Sequence, residues 1–238
     1  MDEEIELLLH KARGAWGGDW DSLNRRISTA MDQSYRNTQW EFKSDIKNRI
    51  FEDVDFTQTD LNHPIFTEVV FKNCRFEKTN FEDARVYSCS FVDCTFRKIK
   101  WSTATIGAHG GIYRNCTFDQ CNFRGASIYN PEFLGCTFLN CRWKGVDLFA
   151  SYFDSCVFTG KLEDVTFRGF FKNDLYPDAK PNPMRNVDFS EAVFGQFVSF
   201  IGCDLTTAIP PKGFSFDQLL ERTGLIPDCI STGEHGMR

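Results

Sequence analysis

Histidine is scarce in this chain: there are four, at positions 10, 63, 109 and 235, and none stands at a metal-ligand or catalytic spacing. General acid–base chemistry therefore lacks its commonest side chain. Long apolar runs are missing too, and no stretch approaches the length of a membrane span. The opening Met1-Asp2-Glu3-Glu4-Ile5-Glu6 is acidic and has no apolar run of the kind a secretory signal needs. A strong charge of one sign is absent, since the formal net charge is only −6. That is too mild to announce nucleic-acid binding, or by itself an acidic decoy of DNA. The expected setting is a reducing cytoplasm without membrane attachment, where the ten cysteines are free thiols.

Phenylalanine is abundant instead, with 25 residues in an aromatic fraction of 15%. Many rings must be buried at regular intervals, and the spacing shows how. A large apolar residue occupies every fifth position from Phe56 through Leu61, Phe66, Phe71, Phe76, Phe81, Val86, Phe91, Phe96, Trp101 and Ile106. After a shift of two residues within Gly107–Gly111, the frame resumes at Tyr113 and runs to Phe158. A smaller residue sits two positions before each large one. A period of five matches neither the 3.6 of a helix nor the 2 of a flat strand. It suits a backbone that turns a corner every five residues and points two side chains inward per side.

Taking every fourth member brings out a higher period of twenty. Phe56, Phe76, Phe96, Phe118, Phe138 and Phe158 form one column, preceded by Val54, Cys74, Cys94, Cys116, Cys136 and Cys156. A second column reads Leu61, Phe81, Trp101, Phe123 and Trp143. A third reads Phe66, Val86, Ile106, Ile128 and Leu148, and a fourth Phe71, Phe91, Tyr113, Phe133 and Phe153. One coil of four sides accounts for this, with neighbouring coils stacked at the inter-strand distance of about 4.8 Å.

Units such as Thr59-Asp60-Leu61-Asn62-His63, Thr79-Asn80-Phe81-Glu82-Asp83, Cys121-Asn122-Phe123-Arg124-Gly125 and Cys203-Asp204-Leu205-Thr206-Thr207 resemble those of the pentapeptide-repeat proteins. Cysteine and phenylalanine are used here more than the family's alanine and leucine. The resemblance covers roughly residues 46–210. It implies an all-β solenoid, specifically a right-handed quadrilateral β-helix. It also implies an alternative role in which a rod of duplex width imitates DNA and binds or protects DNA gyrase or a related topoisomerase. The near-balanced charge of the repeat region does not favour that role.

The ends differ from the shaft. Residues 1–45 do not repeat and read as a helical N-terminal cap, with helices over Asp2–Lys11 and Asp21–Gln33; a partner-binding element is the other reading. Residues 172–186 hold three prolines and no repeat, so they are expected to leave the shaft as a loop. Phe189, Phe194, Phe200 and Leu205 then add a coil. In the C-terminal cap, 211–238, Ser215 with Gln218 suits a capping box at the start of a short helix that ends before Gly224, whose Leu219 and Leu220 would cover the core.

No catalytic, cofactor-binding or metal-binding residue is expected. The cysteine column reads as core packing, and Gly107–Gly111 as a corner bulge rather than a phosphate loop. Function is therefore sought on the outer surface. Tyr87, Val92, Ile112, Tyr129, Leu134, Phe149 and Tyr152 are expected to form an aromatic and aliphatic strip along one edge. Either it meets a protein partner or a second copy of the chain, or the N-terminal helices or the 172–186 loop cover it. Lys98, Lys100, Arg124, Arg142 and Lys144 make a basic stripe, either a solvated face or a seat for an anionic partner. The expected partner is a protein; a homodimer is allowed, and nucleic acid is not expected.

Overall fold

The computed structural model describes residues 35–38, 45–61, 63–170 and 180–222. Over them the chain winds as a right-handed quadrilateral β-helix with parallel walls. The first wall stacks Asp45–Lys47, Ile65–Thr67, Arg85–Tyr87, Thr105–Ala108 and Ser127–Ile128, and Val146–Leu148, Val165–Arg168 and Val198–Ile201 continue it. The second runs from Ile50–Glu52 to Tyr152–Asp154, and the third from Arg75–Glu77 to Val157–Leu162, which turns the corner at Gly160 and pairs there with Ala192–Phe194. The fourth is narrower, held by single parallel bridges along Asp60, Asn80, Lys100, Asn122 and Arg142.

The five-residue period has a backbone cause. Two positions after most of the large core residues the chain turns with φ > 0, as at Asn73 (φ 50°), Asp93 (φ 53°), Asn115 (φ 51°), Gly125 (φ 80°) and Asn140 (φ 51°). Asn, Asp and Gly tolerate that region best. Between corners one three-residue strand fits, so its central residue faces in and its neighbours face out.

The interior is filled by ladders of like rings. Phe56, Phe76, Phe96, Phe118, Phe138, Phe158 and Phe189 stack in sequence, with centroids 4.8 Å apart for Phe96 and Phe118 and 4.9 Å for Phe118 and Phe138. Each ring also meets the neighbouring column edge-on, as Phe71 meets Phe76 at 5.5 Å; offset-stacked and edge-on pairs are the arrangements that rings favour. Beside them lies the thiol column. Cys74, Cys94, Cys116, Cys136 and Cys156 each donate to the carbonyl of the second-wall ring residue one coil earlier, at 3.2–3.4 Å. Burial pushes the thiols of Cys116 and Cys156 well above their usual range and Cys89 up to about 12. They stay protonated and pack as small apolar groups.

Two expectations about interruptions meet the structure differently. At Gly107–Gly111 the register slips between Arg85–Thr105 and Tyr87–Ala108, which is the expected bulge. Gly107 is required there: its φ is +75°, and a Cβ would lie 2.5 Å from Pro131 Cβ. The loop expected over 172–186, however, has rejoined the shaft well before its predicted end. Residues 171–179 lie outside the described residues, but Met184 is fully buried and Arg185 already pairs with Asp154. Met184 thus takes the next rung above Phe153, and its flexible thioether fills a place no ring occupies. Asn182 makes the turn possible: its side-chain carbonyl accepts from the amide of Phe153 at 3.0 Å, in the place of a backbone carbonyl of the next rung.

At the C-terminal end the helix Phe216–Arg222 begins with the expected capping box. Ser215 N donates to Gln218 Oε1 at 2.9 Å, and Gln218 N donates to Ser215 Oγ at 3.3 Å. Phe216 meets Phe189 and Phe200 edge-on, and Leu219 is buried, so the helix closes the ring ladder. The expected N-terminal helices and Gly224 lie outside the described residues.

Candidate interaction surface

The strip anticipated along one edge divides between two walls. Tyr87, Tyr129 and Phe149 stand on the first wall, each immediately after an inward residue, so the parallel register puts them in one outward file. Tyr129 and Phe149 occupy adjacent rungs with ring centroids 6.2 Å apart, and the His109 ring lies 5.6 Å from that of Tyr87. Arg168 continues the file. Its guanidinium sits 4.9 Å from the Phe149 ring centroid while Nε and Nη2 donate to Asp147 at 2.8 and 2.6 Å. The fork-to-carboxylate pairing holds the planar cation over the ring, and the bond to Asp147 raises the Arg168 pKa.

Ile112, Leu134, Tyr152 and Val92 belong to the second wall, in two separate files. Ile112 and Tyr152 alternate with Ser90 and Glu132, and Val92 and Leu134 alternate with Arg114 and Asp154. Charged rungs thus interrupt the apolar ones. Val92 is 3% exposed, between Lys72 and Arg114, and offers no surface. Lys180, on the chain returning to the shaft, pairs with Glu132 at 2.6 Å and lies 5.8 Å from the Tyr152 ring centroid, partly occupying this wall.

The basic stripe is gathered more tightly than the apolar strip. Lys100 and Arg142 share one outward file of the fourth wall, Arg124 and Lys144 flank the inward Phe123 and Trp143, and Lys98 stands at the corner leading in; all five are exposed. The acids near them in sequence are partly on another wall. Glu77 and Asp119 belong to the third, where Arg97 bridges them at 3.3 and 3.1 Å. The Arg75 guanidinium, helped by Arg97, holds the Glu77 carboxyl below its usual range.

A second apolar feature escaped the sequence reading. Phe170, Val193, Phe197, Ile201, Ile209 and Phe214 are the strongly exposed large apolar residues among those described, all in the last coils. They lie beyond Phe158, where the pentad frame slips, so counting could not assign them inward or outward places. Among the described residues no three His, Cys, Asp or Glu side chains converge as metal ligands, and no helix is long and apolar enough to cross a membrane.

A family model for the pentapeptide repeat region matches residues 44–108. No curated protein matches the chain. Among solved structures, a trypsin-treated form of QnrB1, a plasmid-mediated fluoroquinolone resistance protein, is 14% identical, with 81% of this chain and 87% of that chain covered and a TM-score of 0.43. Full-length QnrB1 is 15% identical, covering 73% and 87%, with a TM-score of 0.42. HetL, a pentapeptide-repeat protein involved in heterocyst differentiation regulation in the cyanobacterium Nostoc sp. strain PCC 7120, is 10% identical, covering 79% and 96%, with a TM-score of 0.40. Residues 44–108 are thus a pentapeptide-repeat region, and the same corners and four-sided coil continue through the described residues beyond it.

Proposed function

We propose that this chain is a non-enzymatic binding protein that shields or blocks a protein target, as a protective or immunity factor does. The observation that carries the reading is the outward file of Tyr129, Phe149 and Arg168 on a wall whose backbone is locked rung by rung. Tyrosine and arginine are enriched among the residues that dominate protein–protein binding, and side chains fixed before the encounter lose little entropy on docking. The interior supports the same reading: among the described residues it is packed with rings and buried thiols that face no open cleft.

Affinity capture from host extract tests it. Tyr129→Asp with Phe149→Asp, in a variant that melts as the parent does, is expected to lose the captured protein. Undiminished capture would remove the file from consideration. The alternative, occupation of a topoisomerase's DNA groove, calls for faces of one acidic sign. The third wall instead alternates Glu77, Arg97 and Asp119, and the fourth is basic over its later coils. A gyrase supercoiling assay with and without quinolone decides that alternative, which ends if the protein neither inhibits nor protects.

A further inference from the structure

The fourth wall carries an arrangement that the aromatic file does not use. Going up its outward files, Asp60 and Glu82 with the corners Lys78 and Asp83 come first, net acidic, and Lys98, Lys100, Arg124, Arg142 and Lys144 follow. The sign of the wall reverses between the second and third coils. Lys98, Lys100, Arg124 and Arg142 form no salt bridge among the described residues, whereas on the third wall Arg75 and Arg97 are both paired with acids. Lys161, one coil further, is held by Glu163 at 2.9 Å.

Like charges on neighbouring rungs repel. Asn122 separates Lys100 from Arg142, but Arg124 and Lys144 stand on adjacent coils, about 5 Å apart along the axis. Such a surface is relieved by a partner that supplies carboxylates or phosphates. Two features choose between them, and a third shows how either anion would be held. The large residues of this wall, Trp101, Phe123 and Trp143, all face inward and are buried, so no ring is offered for a base to stack on. The acids at Asp60, Glu82 and Asp83 end the cationic run after three or four coils, roughly 15–20 Å, and would repel a phosphate chain that continued past it. The amides of Asn122 and Asn140 lie among the cations in a shallow groove with Arg124, Arg142, Lys144, Lys161 and the Lys161-bound Glu163, where guanidinium forks can take a carboxylate or a phosphate bidentately.

We propose that this face docks a short acidic segment, rich in Asp and Glu, of a partner protein. The proposal goes beyond the binding reading above and concerns a different wall, so either can fail alone. The test is fluorescence anisotropy of the full chain with a labelled oligoglutamate peptide, and with an oligothymidylate of equal length, at low and at physiological salt. Oligoglutamate is expected to bind more tightly than oligothymidylate and to weaken as salt rises. Arg124→Glu with Arg142→Glu is expected to weaken it about tenfold or more, Arg124→Lys with Arg142→Lys to weaken it less than the reversal, since the charge stays and the fork is lost, and Arg85→Glu on the first wall to leave it unchanged. If the reversal variant fails to fold, Arg124→Ala with Arg142→Ala replaces it, with a smaller loss expected. The proposal is overturned if oligoglutamate does not bind at low salt, if folded reversal or alanine variants bind it as the parent does, or if oligothymidylate binds more tightly. In the last case the face belongs to a nucleic acid.

Discussion

Truncating Phe118 to alanine probes the shaft where it is most continuous. Phe118 is 1% exposed and has stacked neighbours on both sides, Phe96 at 4.8 Å and Phe138 at 4.9 Å. A tilted contact with Phe123 at 5.8 Å and an edge-on one with Phe133 at 6.1 Å bind it to the adjoining columns. A buried Phe→Ala change costs about 3–5 kcal/mol, and each lost ring pair accounts for about 0.5–1.5 kcal/mol beyond area alone. With two stacked pairs lost and a backbone pinned by rungs above and below, the cavity cannot collapse. The cost should therefore lie near the upper end, about 5 kcal/mol. At about 2–4 °C per kcal/mol for a domain of this size, the melting midpoint should fall by roughly 10–20 °C. Phe200, half-buried in the last coil, has one stacked neighbour, Phe167 at 5.0 Å, and should lose about half as much. The assay is guanidinium unfolding followed by near-UV circular dichroism. If Phe118→Ala loses no more stability than Phe200→Ala, the rings are not acting as a continuous ladder.

The Tyr113 hydroxyl and Trp101 Nε1 are buried with no hydrogen-bond partner among the described residues, while Phe occupies the neighbouring rungs of the Tyr113 column; Tyr113→Phe should therefore stabilise by about 1 kcal/mol, and a loss in urea melts would show that the hydroxyl is satisfied. Glu77 has a folded pKa lowered by Arg75, so its contribution is present above the unfolded value of about 4.3 and is lost as pH falls through the folded value. Glu77→Gln should accordingly lower the urea midpoint at neutral pH and make little difference in strong acid; an equal difference at both would refute the linkage. Native protein treated with a thiol reagent should leave Cys74, Cys89, Cys94, Cys116, Cys121, Cys136, Cys141 and Cys156 unmodified until it unfolds, and rapid native labelling of Cys116 would mean that the shaft opens.

The columns were legible because each pentad repeats one decision: one large residue in, one small residue in, one left-handed corner. Phe76, Phe96 and Phe118 could be placed on a common wall by counting, with the two-residue bulge at Gly107–Gly111 as the only adjustment. Met184 could not, because Pro181 and Pro183 hide its pentad and the side chain of Asn182 replaces a peptide group in the ladder. Val92 was assigned outward by the same counting, and its backbone does face out. It is buried because Lys72 and Arg114 flank it on neighbouring rungs, where long stems cover apolar surface while the charges reach water. The fourth-wall cations were legible as a group. The Asp147 clamp on Arg168 was not, since it joins coils on either side of the point where the frame slips.

The extra residues at Gly107–Gly111 carry a lesson about growth. The circuit that contains them is longer than its neighbours, yet Phe118 still lands on Phe96 as squarely as Phe96 lands on Phe76. Surplus chain was absorbed at a bend, and the strands downstream never felt it. Decoration of the rod and propagation of the rod are thus independent variables. A foreign peptide spliced into that bend, between His109 and Gly110, should be displayed at the surface while the rest of the molecule assembles as before.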